Sequence, residues 1–525
     1  MERFENLDVI ITDVMTSHGK WRSNKPAIIC EDRRITWGEF NQRINKVANG
    51  LMKLGLQKGE KVSLLMANRP EVLEIFFGTV KAGGVIVPLS AMVPGDSLAR
   101  MVIDSDSKFF FIGPGLREVI DPYRTEFKNI GEECFFSVGE EAEDWNAYEQ
   151  LLDESSDKDP GVKLIYEDSF NIMYTSGTTG VPKGILHTHH NRTQFASMFA
   201  IDYRIDSSAI TIIATALYAN GTWLTMLPTV FVGGTLVIMS KFDPKNFLEL
   251  VQKERCTHTF MVPTQFTVIL EQPDFDSYDL ESMRIWNSAG SPLRVQTKQE
   301  VIKKFSGELL ELWGLTEGVA TTLKPEDMER KMESVGIPLV GWDMAIIDDQ
   351  GQELPRGEVG EIVAFSSWIM PEYYKLPEKT TEAIWLDKRG RTFLKTGDMG
   401  KLDEDGFLYI LDRKKDMIIS GGINIFASDI EEALTRHPKV KDAAVIGIPH
   451  PKWGETPVAL VILKEGLSAS EDEVMEWVNT KLAKYQRISR VEFRDTDFPR
   501  NALGKVLKRE LREAFQKPVN EIRGS

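Results

Sequence analysis

Apolar residues spaced three and four apart, each run behind a capping box, mark two helices in this chain. Thr36 and Glu39 form the first box, and apolar residues recur at helical spacing until Gly55 ends the pattern. Ser470 and Glu473 form a second box near the other end, again followed by an apolar stripe. The pattern therefore predicts amphipathic helices after both boxes.

Continuous apolar runs separate such helical stretches. The runs at 61–66 and 85–88 predict strands that are buried on both faces, as in parallel sheets. The uncharged stretch 207–240 is long enough to cross a bilayer, but Asn-Gly, Pro and Gly-Gly divide it into strand and helix lengths. We therefore expect buried elements there rather than a membrane span. The alternation predicts an α/β fold with parallel strands and crossover helices.

Composition narrows the possible partners. The chain has 525 residues, 42% of them hydrophobic and 27% charged, which excludes a disordered or collagen-like protein. A formal net charge of −16 disfavours nucleic acid as the main partner. Residues 481–525 are basic instead, with 12 Lys and Arg against 6 Asp and Glu. This favours a C-terminal module that meets a small polyanion, with a solvated basic tail as the alternative.

Three widely spaced cysteines, Cys30, Cys134 and Cys256, predict reduced buried thiols rather than disulfides or a zinc site. The N-terminal residues mix charges into an apolar run and lack the pattern of a signal peptide. We expect a cytoplasmic protein with at most a peripheral membrane contact, and a homodimer stays open.

The segment 174–184 is the richest in chemistry. It contains four Ser or Thr residues, three Gly residues and Lys183. Glycines let backbone N–H groups approach a phosphate, while hydroxyls and a lysine add donors and charge. We expect a phosphate-binding loop, the alternative being a polar turn between two strands. A Walker P-loop does not fit, because Pro182 precedes the lysine and Gly184 follows it.

A histidine tract follows this segment. His187, His189 and His190 lie close together, but no Cys or carboxylate at ligand spacing accompanies them. We interpret the tract as the end of a strand rather than as a metal site.

Segment 174–184 resembles the signature loop of the adenylate-forming superfamily, which includes acyl-CoA synthetases, peptide-synthetase adenylation domains and beetle luciferases. Further stretches resemble motifs of that superfamily in the same order along almost the whole chain. They are 288–293 (SAGSPL), 313–317 (WGLTE), 395–398 (KTGD), 412–416 (DRKKD), 420–424 (SGGIN) and 499–505 (PRNALGK).

The resemblance implies an ATP site. The phosphate loop would comprise Thr175, Ser176, Gly177, Thr178, Thr179, Gly180 and Lys183. Adenine would be bordered by Gly290, Ser291, Pro292, Trp313 and Gly314, with tryptophan where the family usually has tyrosine. Asp398 would accept the ribose hydroxyls, and Arg413 would support the ribose or a phosphate. The expected catalytic residues are Thr316, which donates to a phosphate, Glu317, which holds Mg²⁺ as the metal ligand, and Lys505, which binds the developing charge.

The resemblance also implies an acyl pocket. Its expected lining residues are Met198, Ala219, Asn220, Gly221, Phe260, Gly314, Leu315, Val319 and Ala320. Ala219 matches the position of a histidine that the family often places beside the reacting carboxylate. The set is mostly apolar with one amide, and no lysine or arginine is expected to pair with a second carboxylate. This favours a hydrophobic acid that is aliphatic, cyclic or aromatic.

Two domains follow from the resemblance, a large N-terminal domain of stacked sheets with helices at 1–412 and a small mobile α+β domain at 413–525, with a hinge at Lys415. After rotation, the small domain would present a surface that binds CoA. Its expected members are Ser420, Gly421, Gly422, Trp453, Tyr485 and Arg487.

The expected activity is that of an ATP-dependent carboxylic acid:CoA ligase that uses ATP, Mg²⁺ and CoA and forms an acyl-AMP intermediate. Three alternatives stay open: an adenylating enzyme that loads a carrier protein, a luciferase-type oxidoreductase, and an ATP-binding regulatory protein without catalysis.

Overall fold

Helices begin at both capping boxes in the computed structural model, which describes residues 8–140, 144–175, 183–500 and 504–516. The Oγ1 of Thr36 accepts from the Glu39 N–H, and the Glu39 carboxylate accepts from the Thr36 N–H. The Oγ of Ser470 likewise accepts from the Glu473 N–H at 3.1 Å. Both helices are confirmed, but only the first box is complete, because the Glu473 carboxylate accepts from Lys439 Nζ and not from the Ser470 N–H.

The chain divides into two compact units. We call Met1–Met332, Pro338–Asp343 and Phe365–Ile384 the large unit, and Glu333–Ile337, Met344–Ala364 and Trp385–Ser525 the small unit. The domain boundary at residue 412 stays a prediction.

The described strands of the large unit, together with the strand that ends its sheet, alternate with helices as predicted. They are β1 Pro26–Cys30, β2 Arg33–Thr36, β3 Lys61–Leu65, β4 Val85–Leu89, β5 Ser107–Ile112, β6 Phe135–Ser137, β7 Asn146–Ala147, β8 Ser169–Thr175, β9 Lys183–Thr188, β10 Ile210–Ile213, β11 Thr235–Ile238, β12 His258–Met261, β13 Ile285–Ser288, β14 Glu308–Leu315, β15 Val319–Leu323 and β16 Ile337–Pro338.

These strands form two sheets among the described residues. One has the order β7-β6-β5-β3-β4-β8-β9, and the other has the order β16-β15-β14-β13-β12-β10-β11-β1-β2. Their central pairs are parallel, as the apolar runs predicted. Each parallel core leads into an antiparallel hairpin, β8–β9 in one sheet and β14–β15 in the other. Both hairpins carry motif residues, so the sheets fix where those residues lie.

Helices cover the sheets and join them. The described helices of the large unit are α1 Ile11–Trp21, α2 Trp37–Lys53, α3 Pro70–Lys81, α4 Gly95–Asp104, α5 Arg117–Ile120, α6 Tyr148–Asp153, α7 His189–Asp202, α8 Trp223–Val232, α9 Pro244–Glu254, α10 Pro263–Leu270, α11 Val295–Lys304, α12 Pro325–Met328 and α13 Pro377–Glu382. Helix α1 contacts α2, α3, α7 and α8, and every residue of α3 is buried. The stretch 207–240 forms β10, α8 and β11, as predicted.

The small unit contains two further sheets. Its described strands are β17 Asp343–Ile347, β18 Gly360–Phe365, β19 Ile384–Leu386, β20 Thr392–Leu402, β21 Leu408–Arg413, β22 Ile418–Ser420, β23 Ile423–Ile425, β24 Val440–His450, β25 Gly454–Leu463 and β26 Arg490–Phe493. Its described helices are α14 Ala427–Thr435, α15 Glu471–Asn479 and α16 Lys508–Gln516. Helices α14 and α15 pack on the β22–β26 sheet around an apolar core. The predicted α/β class with a small α+β part is confirmed.

Two sequence-based expectations about the chain can be compared directly with the structure. Cys30, Cys134 and Cys256 are buried and free, as predicted. Among the described residues, no helix combines the length and the apolar character that a bilayer crossing requires.

The contact between α2 and α3 gives a test of the large unit's packing. A methyl group on Gly78 would place its carbon 2.5 Å from the Cβ of Val47. We expect Gly78→Ala to lower the stability by about 1–3 kcal/mol, because overfilling a packed contact displaces its neighbours. The double variant Val47→Gly/Gly78→Ala, which also removes the Val47 Cβ, should lose less than the sum of the two single variants. Thermal unfolding measures all three, and additive losses would contradict the contact.

Candidate active site

The expected phosphate loop connects the two strands of the β8–β9 hairpin in the large unit. Thr175 ends β8 opposite Lys183, which begins β9. Ser176, Gly177, Thr178, Thr179 and Gly180 lie outside the described residues. The Nζ of Lys183 lies 4.9 Å from the ring centroid of Tyr373, a residue that the sequence analysis did not single out. The cation at the base of the loop is thus packed on an aromatic face.

The Thr316–Glu317 motif forms the turn of the β14–β15 hairpin. Glu317 Oε1 accepts from the Tyr373 hydroxyl at 3.0 Å. Gly318 follows with φ of 116°, and a Cβ there would lie 2.5 Å from the Cα of Ile369. Glycine is therefore required for this turn to lie against the neighbouring backbone. Tyr373 connects the two motifs, because its ring touches Lys183 and its hydroxyl touches Glu317.

Glu317 suits the magnesium ion expected from the family resemblance. Mg²⁺ is usually bound through one or two carboxylates together with substrate phosphates and water. Within the part of the chain that the structure describes, no group of three or more His, Cys, Asp or Glu residues could hold a metal alone. A single carboxylate that Tyr373 connects to Lys183 suits an ion that arrives with the nucleotide.

A buried carboxylate, that of Glu311, holds the stretch that is expected beside adenine. The Leu293 N–H donates to Glu311 Oε1 at 2.9 Å, and Glu311 forms a fully buried ion pair with Lys298. Burial raises the pKa of Glu311, and the Lys298 ammonium opposes that rise. Gly290 has φ of 92°, a conformation that favours glycine. Ser291 and Pro292 follow it, and Trp313 and Gly314 lie on β14, which pairs with β13 just before this stretch.

The residues expected in the acyl pocket lie on four parts of the fold: a 3-10 helix, β12, α7 and the β14–β15 hairpin. Ala219, Asn220 and Gly221 lie at the start of a short 3-10 helix that precedes α8 and contacts β12, the strand of Phe260. Met198 lies on α7, which packs on α8. The others, Leu315, Val319 and Ala320, lie in the β14–β15 hairpin, with Leu315 opposite Val319 and Gly314 opposite Ala320.

Asn220 has a charged neighbour that the sequence analysis did not name. The fully buried Arg192 of α7 donates from Nη1 to Asn220 Oδ1 at 3.0 Å. Arg192 lies three and seven residues before Phe195 and Phe199, so it belongs to the buried face of α7. This spacing could have predicted a buried, hydrogen-bonded arginine from the sequence, since a charged side chain is rarely fully buried unless it is paired.

His187 connects this arginine to the Glu317 turn. Its Nδ1 lies 3.1 Å from the Nη2 of Arg192, and its Nε2 lies 2.8 Å from the carbonyl oxygen of Thr316. Burial and the adjacent guanidinium hold the pKa of His187 well below its usual value. Of the three histidines in the tract, His187 lies in strand β9, whereas His189 and His190 begin α7. The strand-end interpretation therefore holds for His187 only.

In the small unit, the expected ribose-binding residues form an ion pair. Asp398 of β20 and Arg413 of β21 are directly opposite each other, with Oδ1 and Nε 2.5 Å apart. Asp398 is only 4% exposed. The sequence analysis assigned Asp398 to the ribose and Arg413 to the ribose or a phosphate, and the two residues are adjacent.

Lys505 lies in the electrostatic neighbourhood of this pair. Burial, with a smaller contribution from Arg413, lowers the pKa of Lys505 to about 8, while Asp398 and Asp416 oppose the shift. Lys415, the expected hinge residue, also lies near and has a pKa lowered by burial. Asn501, Ala502 and Leu503, which precede the lysine in its motif, lie outside the described residues.

The expected CoA-binding residues cluster only in part. Ser420 ends β22, and Gly421 and Gly422 form the turn to β23 with φ of 59° and 80°. The Gly421 N–H donates to the Trp453 carbonyl at 2.7 Å, and a Cβ on Gly421 would lie 3.0 Å from the Trp453 ring. The indole is 47% exposed. Tyr485 and Arg487, also exposed, lie in a 3-10 turn and just after it, and that turn contacts β23.

Comparison with known proteins identifies the family. The family model "AMP-binding enzyme" matches residues 16–374, and the model "AMP-binding enzyme C-terminal domain" matches residues 429–505. The long-chain-fatty-acid–CoA ligase FadD13 of Mycobacterium tuberculosis is 33% identical over 93% of this chain and 94% of its own length. Feruloyl-CoA synthase of an Amycolatopsis species is 32% identical over 92% of this chain and 94% of its own. ATP-bound MatB from Rhodopseudomonas palustris superposes with a TM-score of 0.86 at 30% identity, covering 96% of this chain and 99% of that one.

The fold and the ordered motifs define an adenylate-forming enzyme. The chain belongs to the AMP-binding enzyme family. The expected enzyme class, an AMP-forming ligase of the acyl-CoA synthetase type, is confirmed by relatives of that type that match over nine-tenths of the chain. ATP, CoA and a small carboxylic acid are the ligands of this family.

The contact between Tyr373 and Glu317 can be tested with a neighbour as control. We expect Tyr373→Phe to raise the Mg²⁺ concentration that half-saturates adenylation by about tenfold, because partners of metal ligands tune the ligand. The aromatic face beside Lys183 is retained in this variant. Tyr374→Phe removes a similar bond, the one from Tyr374 to Asp106 at 3.1 Å, and should leave the Mg²⁺ requirement unchanged. Equal effects of both variants would exclude a specific role for Tyr373.

Proposed function

We propose that this protein activates a carboxylic acid as its acyl-adenylate and transfers the acyl group to CoA. In the first step a carboxylate oxygen bonds to the α-phosphorus of ATP, and the bond to pyrophosphate breaks. In the second step the CoA thiol, losing its proton, bonds to the acyl carbon, and AMP leaves. Adenylation serves this chemistry because a free carboxylate is unreactive and AMP is a good leaving group.

The observation that carries the proposal is the surroundings of Lys505. The Lys505 ammonium interacts electrostatically with Arg413 and with the carboxylates of Asp398 and Asp416. Two cations close together make this region suitable for a polyanionic ligand. The Arg413–Asp398 pair offers the adjacent carboxylate for ribose hydroxyls. Lys505 would stabilise the negative charge that develops at the α-phosphate.

The large unit supplies the remaining groups in this proposal. Lys183 and the loop after Thr175 would bind the pyrophosphate portion, and Thr316 would donate to a phosphate oxygen. Glu317 would hold Mg²⁺, which when bound neutralises phosphate charge. Phe260 and Val319, both buried, support an acid with an apolar body.

In the small unit, Gly421 and Gly422 would let the thin pantetheine chain of CoA pass against backbone, with Trp453 beside it. Rotation about Lys415 would exchange this surface for Lys505 between the two steps. We also propose a cytoplasmic location, and a homodimer stays open as an alternative to a monomer.

An isotope-exchange experiment tests the first step. Labelled pyrophosphate should exchange into ATP only when an accepted acid is present, and without CoA, because the adenylate forms first. A panel of straight-chain, cyclic and aromatic acids identifies the acid, and addition of CoA should give a thioester detectable by mass. Exchange that requires CoA would contradict the two steps. A product formed with a carrier protein but not with CoA would favour the carrier-loading alternative.

The lowered pKa of Lys505 predicts a pH dependence. The charged form is present below about pH 8 and is lost as the pH rises through that value. We therefore expect kcat/KM for pyrophosphate exchange, which reports the free enzyme, to fall above about pH 8. Lys505→Arg should move the fall to higher pH, because a guanidinium keeps its proton.

Lys464→Arg provides the matched control, since Lys464 is an exposed lysine of the same unit. Its profile should follow the wild type. An unchanged fall in the Lys505→Arg variant would assign the titration to another group.

A further inference from the structure

Arg192 fixes which way the side-chain amide of Asn220 points. A guanidinium has donors only, so the atom that faces Arg192 Nη1 at 3.0 Å must be the amide oxygen. The two N–H groups of Nδ2 therefore point elsewhere. Among the described residues Nδ2 has no hydrogen-bond partner, and it is not one of the buried unsatisfied atoms. Asn220, half-buried, thus presents a donor to open space.

Arg192 is itself held in one position by other elements. Its Nε donates to Asn171 Oδ1 of β8 at 2.7 Å, and its Nη2 lies 3.1 Å from His187 Nδ1 of β9. The Trp223 ring of α8 lies 4.4 Å from the guanidinium carbon. A side chain fixed at both ends and on one face has little freedom to rotate. The orientation of the Asn220 amide is therefore preorganised before any ligand binds.

The charge of Arg192 is uncompensated by any acid. Its partners Asn171, His187 and Asn220 are neutral, and in the described part of the chain Arg192 has no ion pair. In a buried setting such a cation polarises the groups bonded to it and makes their own N–H groups stronger donors. The open side of Asn220 therefore favours an acceptor oxygen and disfavours a donor or a plain hydrocarbon.

We propose that Asn220 is a specificity-determining donor that binds an acceptor oxygen of the acid substrate, and that Arg192 is its positioning residue. This rests on the proposed ligase function and on the placement of Asn220 at the acyl pocket. The oxygen belongs to the reacting carboxylate or to a hydroxyl or oxo substituent, since both are acceptors. The acid then has an apolar body with one oxygen held at this point.

Asn220→Asp isolates the donor. Aspartate has the same size and keeps an oxygen for Arg192, which would gain an ion pair, but it replaces the open N–H groups by a second oxygen. We expect an unchanged or higher melting temperature and a loss in kcat/KM for the acid of roughly 10- to 100-fold. The KM for ATP should stay constant. Asn220→Ala, which removes the donor without adding a repulsive oxygen, should lose roughly 10-fold and covers the case of a misfolded first variant.

Paired acids reveal which oxygen is bound. Pyrophosphate exchange is measured with benzoate against its three monohydroxy derivatives and with octanoate against 3-hydroxyoctanoate. An equal loss in Asn220→Ala for both members of an accepted pair assigns the donor to the carboxylate. A loss confined to the hydroxylated member assigns it to the substituent.

A double-mutant cycle tests the positioning role. If Arg192 acts through Asn220, Arg192→Lys lowers kcat/KM for the acid in the wild-type background but adds nothing to Asn220→Ala. If Arg192 has only a structural role, Arg192→Lys should lower the melting temperature and change the KM for ATP equally in the wild-type and Asn220→Ala backgrounds. That result would contradict the positioning role.

The two proposals fail in different ways. If the wild type exchanges pyrophosphate but neither Asn220 variant changes kcat/KM for any accepted acid, the donor role is wrong and the ligase function stands. If the folded wild type catalyses no pyrophosphate exchange with any acid of the panel, the proposed function is wrong, and the donor proposal fails with it.

Discussion

A guanidinium enclosed by the large unit determines how its neighbouring elements are arranged. Burying a charge without a carboxylate is costly unless every donor finds an acceptor. Asn171 from β8, His187 from β9 and Asn220 from the turn before α8 provide these acceptors to Arg192. Trp223 adds its ring face, an interaction of up to about 2 kcal/mol when desolvated. The elements that carry phosphate and acyl motifs therefore converge on one cation.

This arrangement also determines which ring nitrogen of His187 carries the proton. Because Arg192 can only donate, Nδ1 must be the acceptor, and the single proton of the neutral ring lies on Nε2. That proton is donated to the Thr316 carbonyl, just before Glu317. The β8–β9 hairpin, whose second strand begins with Lys183, is thus linked to the β14–β15 hairpin, whose turn carries Glu317. Tyr373 links the same two hairpins a second time through Lys183 and Glu317.

Local patterns in the sequence predicted local structure well. The capping boxes, the buried strands and the division of 207–240 all depend on residues close together in the chain. The order of motifs predicted the family, and the opposition of Asp398 and Arg413 agrees with a shared ligand. Arg192 and Tyr373 were missed because their roles depend on partners 28 and 56 residues away. Tyr373 and Tyr374 look alike in sequence, yet their hydroxyls reach Glu317 and Asp106 respectively.

Two lysines of the small unit show why a motif can identify chemistry that composition cannot. Lys505 and Lys508 are three residues apart in the same basic stretch. Burial acts to lower the pKa of both, but Lys508 contacts Glu431 at 2.8 Å, and that carboxylate raises its pKa overall. Lys505 lies near Arg413, which adds to the effect of burial, so its pKa falls to about 8. A buried ammonium whose pKa is lowered overall is stabilised further when an anion approaches. This is why Lys505, and not Lys508, suits the proposed α-phosphate site.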